Sequence, residues 1–184
     1  MDPYLVAYIV LVLLYRFAET AVMIRTGTVT RRPVKDWTAW MIVVPYWLVI
    51  VSTATEYASG RQAQPPLAAV VVGAILFVAA TFVRVRAHLD LGAQFSMFLE
   101  QGKQGGLVTT GLYSRIRHPL YLANILLFLA CPTFLAVTWA WGAAVMGIVG
   151  VVTRIEIEEQ HLTRTFEGYA AYAKTTWKLV PHLY

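Results

Sequence analysis

Long apolar runs separated by short polar stretches dominate the chain: Tyr4–Leu14, Trp37–Thr55, Leu67–Val83, Leu120–Ala130 and Phe134–Val152. None alternates apolar and polar residues, which argues against the strands of a membrane barrel. A helix crosses a bilayer with ~20 mostly apolar residues, so the runs predict about five transmembrane helices in an all-α, polytopic membrane protein. Runs four and five are short and joined by Cys131–Thr133, which predicts a tight helical hairpin. Beyond them, Leu162, Phe166, Tyr169, Tyr172 and Trp177 recur near helical spacing, which predicts a C-terminal helix over 156–178.

Composition agrees with that pattern. Hydrophobic residues make up 58% of the chain and charged ones 14%, against ~25% charged in an ordinary soluble domain. The first run lacks a basic leader and a small-x-small cleavage site, so it is read as a retained span. The formal charge of +5 does not point to nucleic acid, because the basic residues cluster at the ends of the runs. Arg25, Arg31, Arg32 and Lys35 follow run one, and Arg84, Arg86, Lys103, Arg115 and Arg117 lie between runs three and four. Arg154, Arg164, Lys174 and Lys178 follow run five, whereas only Arg61 lies between runs two and three. This alternation predicts an outside N-terminus and a cytosolic C-terminus. The polar mass then forms one cytosolic face from residues 84–119 and 153–184.

Candidate chemistry concentrates in that face. There is no phosphate-loop spacing, "GKQGG" at Gly102–Gly106 included, and His88, His118, His161 and His182 form no metal pattern. Cys131 is the single cysteine, so the chain has no internal disulfide. In "RIRHPLY", Arg115–Tyr121, Pro119 suits the first turn of a helix and pushes His118 toward extended backbone. The amides that follow are expected to be unpaired and to favour an anion. Tyr113 and Tyr121 offer ring faces to a cation. In "RIEIEEQHL", Arg154 and Glu158 share a helix face at i,i+4, with Glu159 beside them. A second charged pair, Arg16 and Glu19, falls late in run one, and Gly142, Gly147 and Gly150 on run five permit close helix contact.

The two segments together, "LVTTGLYSRIRHPLY" and "RIEIEEQHLTRTF" in this order around a hairpin, resemble the isoprenylcysteine carboxyl methyltransferase and phospholipid methyltransferase families. The resemblance covers roughly Leu91 to Pro181. It implies a single integral membrane domain over 1–184, with three spans in 1–86 and a catalytic core in 87–184. It also implies an S-adenosyl-L-methionine-dependent enzyme whose cytosolic cofactor pocket is built from 87–119 and the C-terminal helix. By that resemblance Leu107, Val108, Tyr113, His118, Pro119, Tyr121 and Glu158 contact the cofactor. Arg154 matches the substrate-side arginine, and Glu159 is a neighbouring acidic candidate. The implied partners are membrane lipids and a lipophilic acceptor, either a carboxylate of an isoprenylcysteine-like molecule or a phospholipid amine; no oligomeric state is implied. The chain differs at "FEGY", Phe166–Tyr169, where the family has Phe-Gly-x-x-Tyr, and at Thr175, where eukaryotic carboxyl methyltransferases have arginine. Membrane sterol reductases, which use NADPH, have a similar arrangement with Asn-Tyr after the proline, where this chain has Leu120–Tyr121. A non-catalytic membrane scaffold is the remaining alternative.

Overall fold

A computed structural model of the protein describes residues 2–27, 37–60, 63–92, 107–182 and 184. Among these, six α-helices follow one another: α1 (Pro3–Arg25), α2 (Trp40–Ala58), α3 (Leu67–Leu91), α4 (Pro119–Phe134), α5 (Ala140–Thr165) and α6 (Tyr169–Thr175). Short 3-10 turns at Trp37–Ala39 and Gly111–Ser114 precede α2 and α4. The Asp2 side chain caps α1 by accepting from the Tyr4 and Leu5 amides, with Pro3 opening the helix.

The segments Pro3–Arg25, Trp37–Ala58, Leu67–Leu91 and Ala140–Thr165 are long and apolar enough to cross a membrane. The fifth predicted span, α4, has only 16 residues. At ~1.5 Å per residue it falls short of a ~30 Å hydrocarbon core. α3 packs along α4, α2 along α5, and α1 covers α3. The core between them is aromatic and edge-to-face: Tyr8 meets Phe77 at 6.0 Å and Phe77 meets Phe134 at 6.2 Å. Outward faces carry Leu13, Phe17, Leu67 and Val78, all exposed. Trp37 and Trp40 are exposed at one end of α2, and Trp139 is exposed at the start of α5 beside the opposite end. Such rings mark the two membrane interfaces.

Three expectations need correction. The hairpin turn lies at 135–139, because α4 continues through Cys131–Thr133 to Phe134. Pro132 sits in its last turn, where only one helical hydrogen bond is forfeited. The Glu56 carboxylate then receives the amides of Thr138, Trp139 and Ala140 and caps α5. The predicted C-terminal helix is two helices, broken at Phe166–Gly168, where Gly168 has φ of 85°. Arg84, counted as a loop charge, lies inside α3 and is buried. Of the glycines on α5, Gly147 and Gly150 make the expected close contacts, with the Phe128 ring and the Met41 carbonyl, while Gly142 faces open space. Arg31, Arg32, Lys35, Arg61, Lys103, "GKQGG" and the 93–106 part of the predicted cofactor segment lie outside the described residues.

Candidate active site

Everything in "RIRHPLY" is organised by the chain that pairs with it. Residues Arg115–His118 run parallel to Trp177–Lys178. Trp177 N donates to Arg115 O at 2.9 Å, Arg117 N to Trp177 O at 2.7 Å and His118 N to Lys178 O at 3.0 Å. Pro119 then opens α4 as expected. The first-turn amides are less open than expected: Tyr121 N and Leu122 N both donate to His118 O at 3.1 Å. That leaves the Leu120 N–H as the unpaired amide of this turn among the described residues.

Arg117 is the hub of a first cluster. Its guanidinium forks onto Glu159, with Nε to Oε1 at 2.7 Å and Nη2 to Oε2 at 3.3 Å. Its Nη1 reaches the carbonyls of Ala173, at 2.9 Å, and Thr176. His118 Nε2 lies 3.0 Å from Glu159 Oε1, and the Tyr169 hydroxyl donates to the same oxygen at 3.1 Å. Partial burial pushes the Glu159 carboxyl upward, but the hydrogen bonds from His118 and Arg117 outweigh it and hold its pKa at about 2. Burial and the adjoining Glu159 charge raise the Tyr169 phenol. One carboxylate of α5 thus binds the start of α4, α6 and the C-terminal segment together.

The second cluster lies one helical position away, at the end of the α5 span. The Tyr121 hydroxyl donates to Glu158 Oε2 at 2.6 Å and accepts from Arg154 Nε at 2.8 Å. Arg154 is 2% exposed and also donates to the Thr38 hydroxyl, beside the exposed Trp37 and Trp40. The His118 ring stacks on the Tyr121 ring at 5.5 Å between centroids. This cluster therefore sits where the apolar bundle gives way to the polar face.

The remaining predicted residues lie around these two clusters. Tyr113 is buried in its 3-10 turn, and its carbonyl accepts from the Tyr172 hydroxyl at 2.6 Å. Asp90 of α3 receives the Leu112 amide at 2.8 Å and fixes that turn. Gly111 has φ of 62°, and a Cβ there would meet the Asp90 carboxylate at 2.2 Å. Leu107 and Val108 are half-buried on the chain leading into the turn. Arg117, Thr38, Tyr169 and Asp90 are the members that sequence reasoning passed over. Arg117 stood in plain view in the motif but read as an interfacial charge.

Residues 68–168, more than half of the chain, match the phospholipid methyltransferase family. The chain belongs to that family. It is therefore a member of a family of membrane methyltransferases, and both clusters draw residues from the matched region. A curated relative, the cobalt-zinc-cadmium resistance protein CzcN of Cupriavidus metallidurans, is 35% identical over 91 residues. That match covers 48% of this chain and 41% of the relative. Arg117, His118, Tyr121, Arg154, Glu158 and Glu159 all fall inside the methyltransferase match.

Proposed function

We propose that the protein is an S-adenosylmethionine-dependent methyltransferase that modifies a lipophilic carboxylate. The observation carrying this reading is the hydrogen-bonded chain Arg154–Tyr121–Glu158 at the end of the apolar bundle. Its donor set matches the cofactor's chemistry. Glu158 offers an anionic edge for hydroxyls or positive charge. The Leu120 amide at the start of α4 suits a carboxylate. The stacked His118 and Tyr121 rings supply faces for a cation. Leu107, Val108, Tyr113 and Pro119 complete the wall on this reading.

When bound, S-adenosylmethionine supplies a methyl group already activated by its sulfonium. The chain's own residues are left to position, orient and exclude water. Arg154 holds its guanidinium in a buried place and is suited to orient an acceptor carboxylate by a charge-assisted contact. Tyr121 locks Arg154 and Glu158 into one register. Glu159 positions Arg117 and His118, and a carboxyl held at about 2 is ionised at neutral pH and a poor base toward an ammonium. A carboxylate acceptor needs no base, whereas a protonated amine must first lose a proton. That difference favours the carboxylate over a phospholipid amine. The excess of Lys and Arg between runs supports a cytosolic face and an outside N-terminus on this reading.

Membranes containing the protein are incubated with methyl-labelled cofactor, and the labelled lipid is treated with base. A methyl ester releases labelled methanol, which is the expected result. Label that stays non-volatile after base, in the released headgroup, would instead point to N-methylation, and absence of label across acceptor panels would favour a scaffold.

A further inference from the structure

Apart from Arg154, the bundle holds a second buried charge cluster. Glu19 of α1 pairs with Arg16 and lies 3.4 Å from Arg84 of α3. Arg84 donates to the Tyr15 hydroxyl at 2.8 Å and to the Asn124 carbonyl oxygen of α4. Glu19, Arg84 and Asn124 are all buried. Two guanidinium groups therefore share one carboxylate, and the cluster carries an excess positive charge in apolar surroundings. Uncompensated charge there is costly, and intramembrane ions mark function by default.

The excess has one open side. The Arg16 side chain is 38% exposed, whereas those of Arg84 and Glu19 are each 9% exposed. Its Nη1 is engaged by Glu19 and the Tyr46 hydroxyl, and its Cζ lies 5.6 Å from the Tyr46 ring centroid and 5.7 Å from that of Trp47. Among the described residues, Nε and Nη2 have no hydrogen-bond acceptor. Guanidinium presents its donors as a planar fork that matches phosphate oxygens. From this point exposed apolar side chains lead along the bundle: Val10 and Leu13 on α1, and Trp47, Leu48 and Val51 on α2. The Tyr8 hydroxyl of α1 donates to the Ile50 carbonyl of α2 at 3.0 Å, so the two helices that carry these side chains lie against each other there.

We infer that Arg16 is the headgroup site of an anionic phospholipid. The phosphodiester takes the open Nε and Nη2 edge, and an acyl chain lies over the exposed seam of α1 and α2. Arginine stems reach along apolar surface to the interface, which brings the headgroup within range. Basic pockets between membrane helices bind lipid headgroups by this chemistry. The site is separate from Arg154, and it is also separate from the apolar cavity of about 530 Å3 between α1 and α3, whose lining includes Phe77, Phe82 and Arg86.

The full-length protein in neutral detergent is titrated with dioleoylphosphatidylglycerol, dioleoylglycerol or inorganic phosphate, and retained lipid is read by native mass spectrometry. The phosphatidylglycerol is expected to be retained about tenfold over dioleoylglycerol, as for a charge-assisted contact, and not displaced by inorganic phosphate. Arg16→Gln is expected to lower its retention about tenfold, with Arg16→Lys between and Arg86→Gln unchanged. Equal retention of the two lipids, or undiminished retention in Arg16→Gln, overturns the site. Displacement by inorganic phosphate overturns the lipid assignment, and loss in Arg86→Gln alone moves the site to the other groove. Should Arg16→Gln fail to fold, the wild-type comparison and Arg16→Lys decide: undiminished retention in Arg16→Lys overturns the fork.

Discussion

Tyr121 and Glu158 meet at 2.6 Å although 37 residues separate them in the chain. The same hydroxyl accepts from Arg154, so one oxygen couples an acidic and a basic group across α4 and α5. Tyr121→Phe keeps the ring stacked on His118 and removes only that oxygen. The expected outcome is a fall of about tenfold to a hundredfold in kcat/KM, the scale of a hydrogen bond to a charged group. The melting temperature should stay within a few degrees of the parent. Unchanged turnover with labelled cofactor would remove Tyr121 from the site.

Glu158 and the cofactor are tested together by calorimetry. S-adenosylhomocysteine is expected to bind the parent protein, and NADPH is not. Glu158→Gln is nearly isosteric, retains an acceptor for Tyr121 and removes the charge. Its affinity for S-adenosylhomocysteine should drop about tenfold if the carboxylate faces ligand hydroxyls. Binding of NADPH alone would transfer the protein to the reductase reading.

Acid should open the C-terminal segment. The Glu159 carboxyl is held at about 2 against an ordinary 4.5. A depressed folded-state pKa contributes stability that is fully present above 4.5 and is lost progressively as pH falls toward 2. Trp177, on the segment tied to Arg117, is a natural reporter. Its fluorescence and the protease resistance of the last residues should hold steady from pH 7 to 5 and change only below. Glu159→Gln should loosen the segment at neutral pH and remove the acid step. A transition centred near pH 6 in the parent would assign the effect to another group.

Much of this was written in local pattern, and the rest was not for a physical reason. Apolar runs marked α1, α2, α3 and α5, since burial in lipid demands them over whole helices. The His118–Pro119 step marked the start of α4, because proline constrains its own residue and the one before it. Arg154 and Glu158 were visible by their i,i+4 spacing. Arg84 was not, because its partners Tyr15 and Asn124 lie 69 and 40 residues away. A charge just past an apolar run looks the same whether it leaves the bilayer or turns inward to a carboxylate. Arg117 was misread for the same reason: its contacts with Glu159, Ala173 and Thr176 are 42 to 59 residues distant. The hairpin turn lies later than Cys131–Thr133 because α4 runs on through that break to Phe134, with Pro132 tolerated in its last turn.

Arg117 carries more contacts than its place in the motif suggests. Arg117→Ala leaves Glu159 without its fork and the Ala173 and Thr176 carbonyls without a donor. The pair is part-buried, so its loss costs more than the ~1 kcal/mol of a surface pair and less than the ~3–5 kcal/mol of a buried one. The protein should melt markedly lower and lose S-adenosylhomocysteine binding. Arg117→Lys keeps the charge but reaches one partner at a time, so it should restore little. Full recovery by lysine would show that charge alone matters there.

Gly111 and Asp90 give a test that isolates the 3-10 turn from the chemistry. At φ of 62° glycine is favoured on backbone grounds, and an added Cβ would fall 2.2 Å from the Asp90 carboxylate. That carboxylate is the acceptor for the Leu112 amide, so displacing it frees the turn that carries Tyr113. Gly111→Ala therefore disrupts the turn twice, through strain and through the lost cap. Asp90→Ala removes the cap together with the exposed Arg86 ion pair, and makes room for the methyl group. The double variant should thus be less impaired than the two single losses added, with a coupling of about 0.5–3 kcal/mol, as expected for residues in contact. The readout is the affinity for S-adenosylhomocysteine, with helicity as the control for folding. The turn holds Tyr113 and does no chemistry, so KM for the cofactor should rise while kcat changes little. Strict additivity would mean that Gly111 and Asp90 act on different parts of the site, and a loss confined to kcat would place the turn in the reacting machinery.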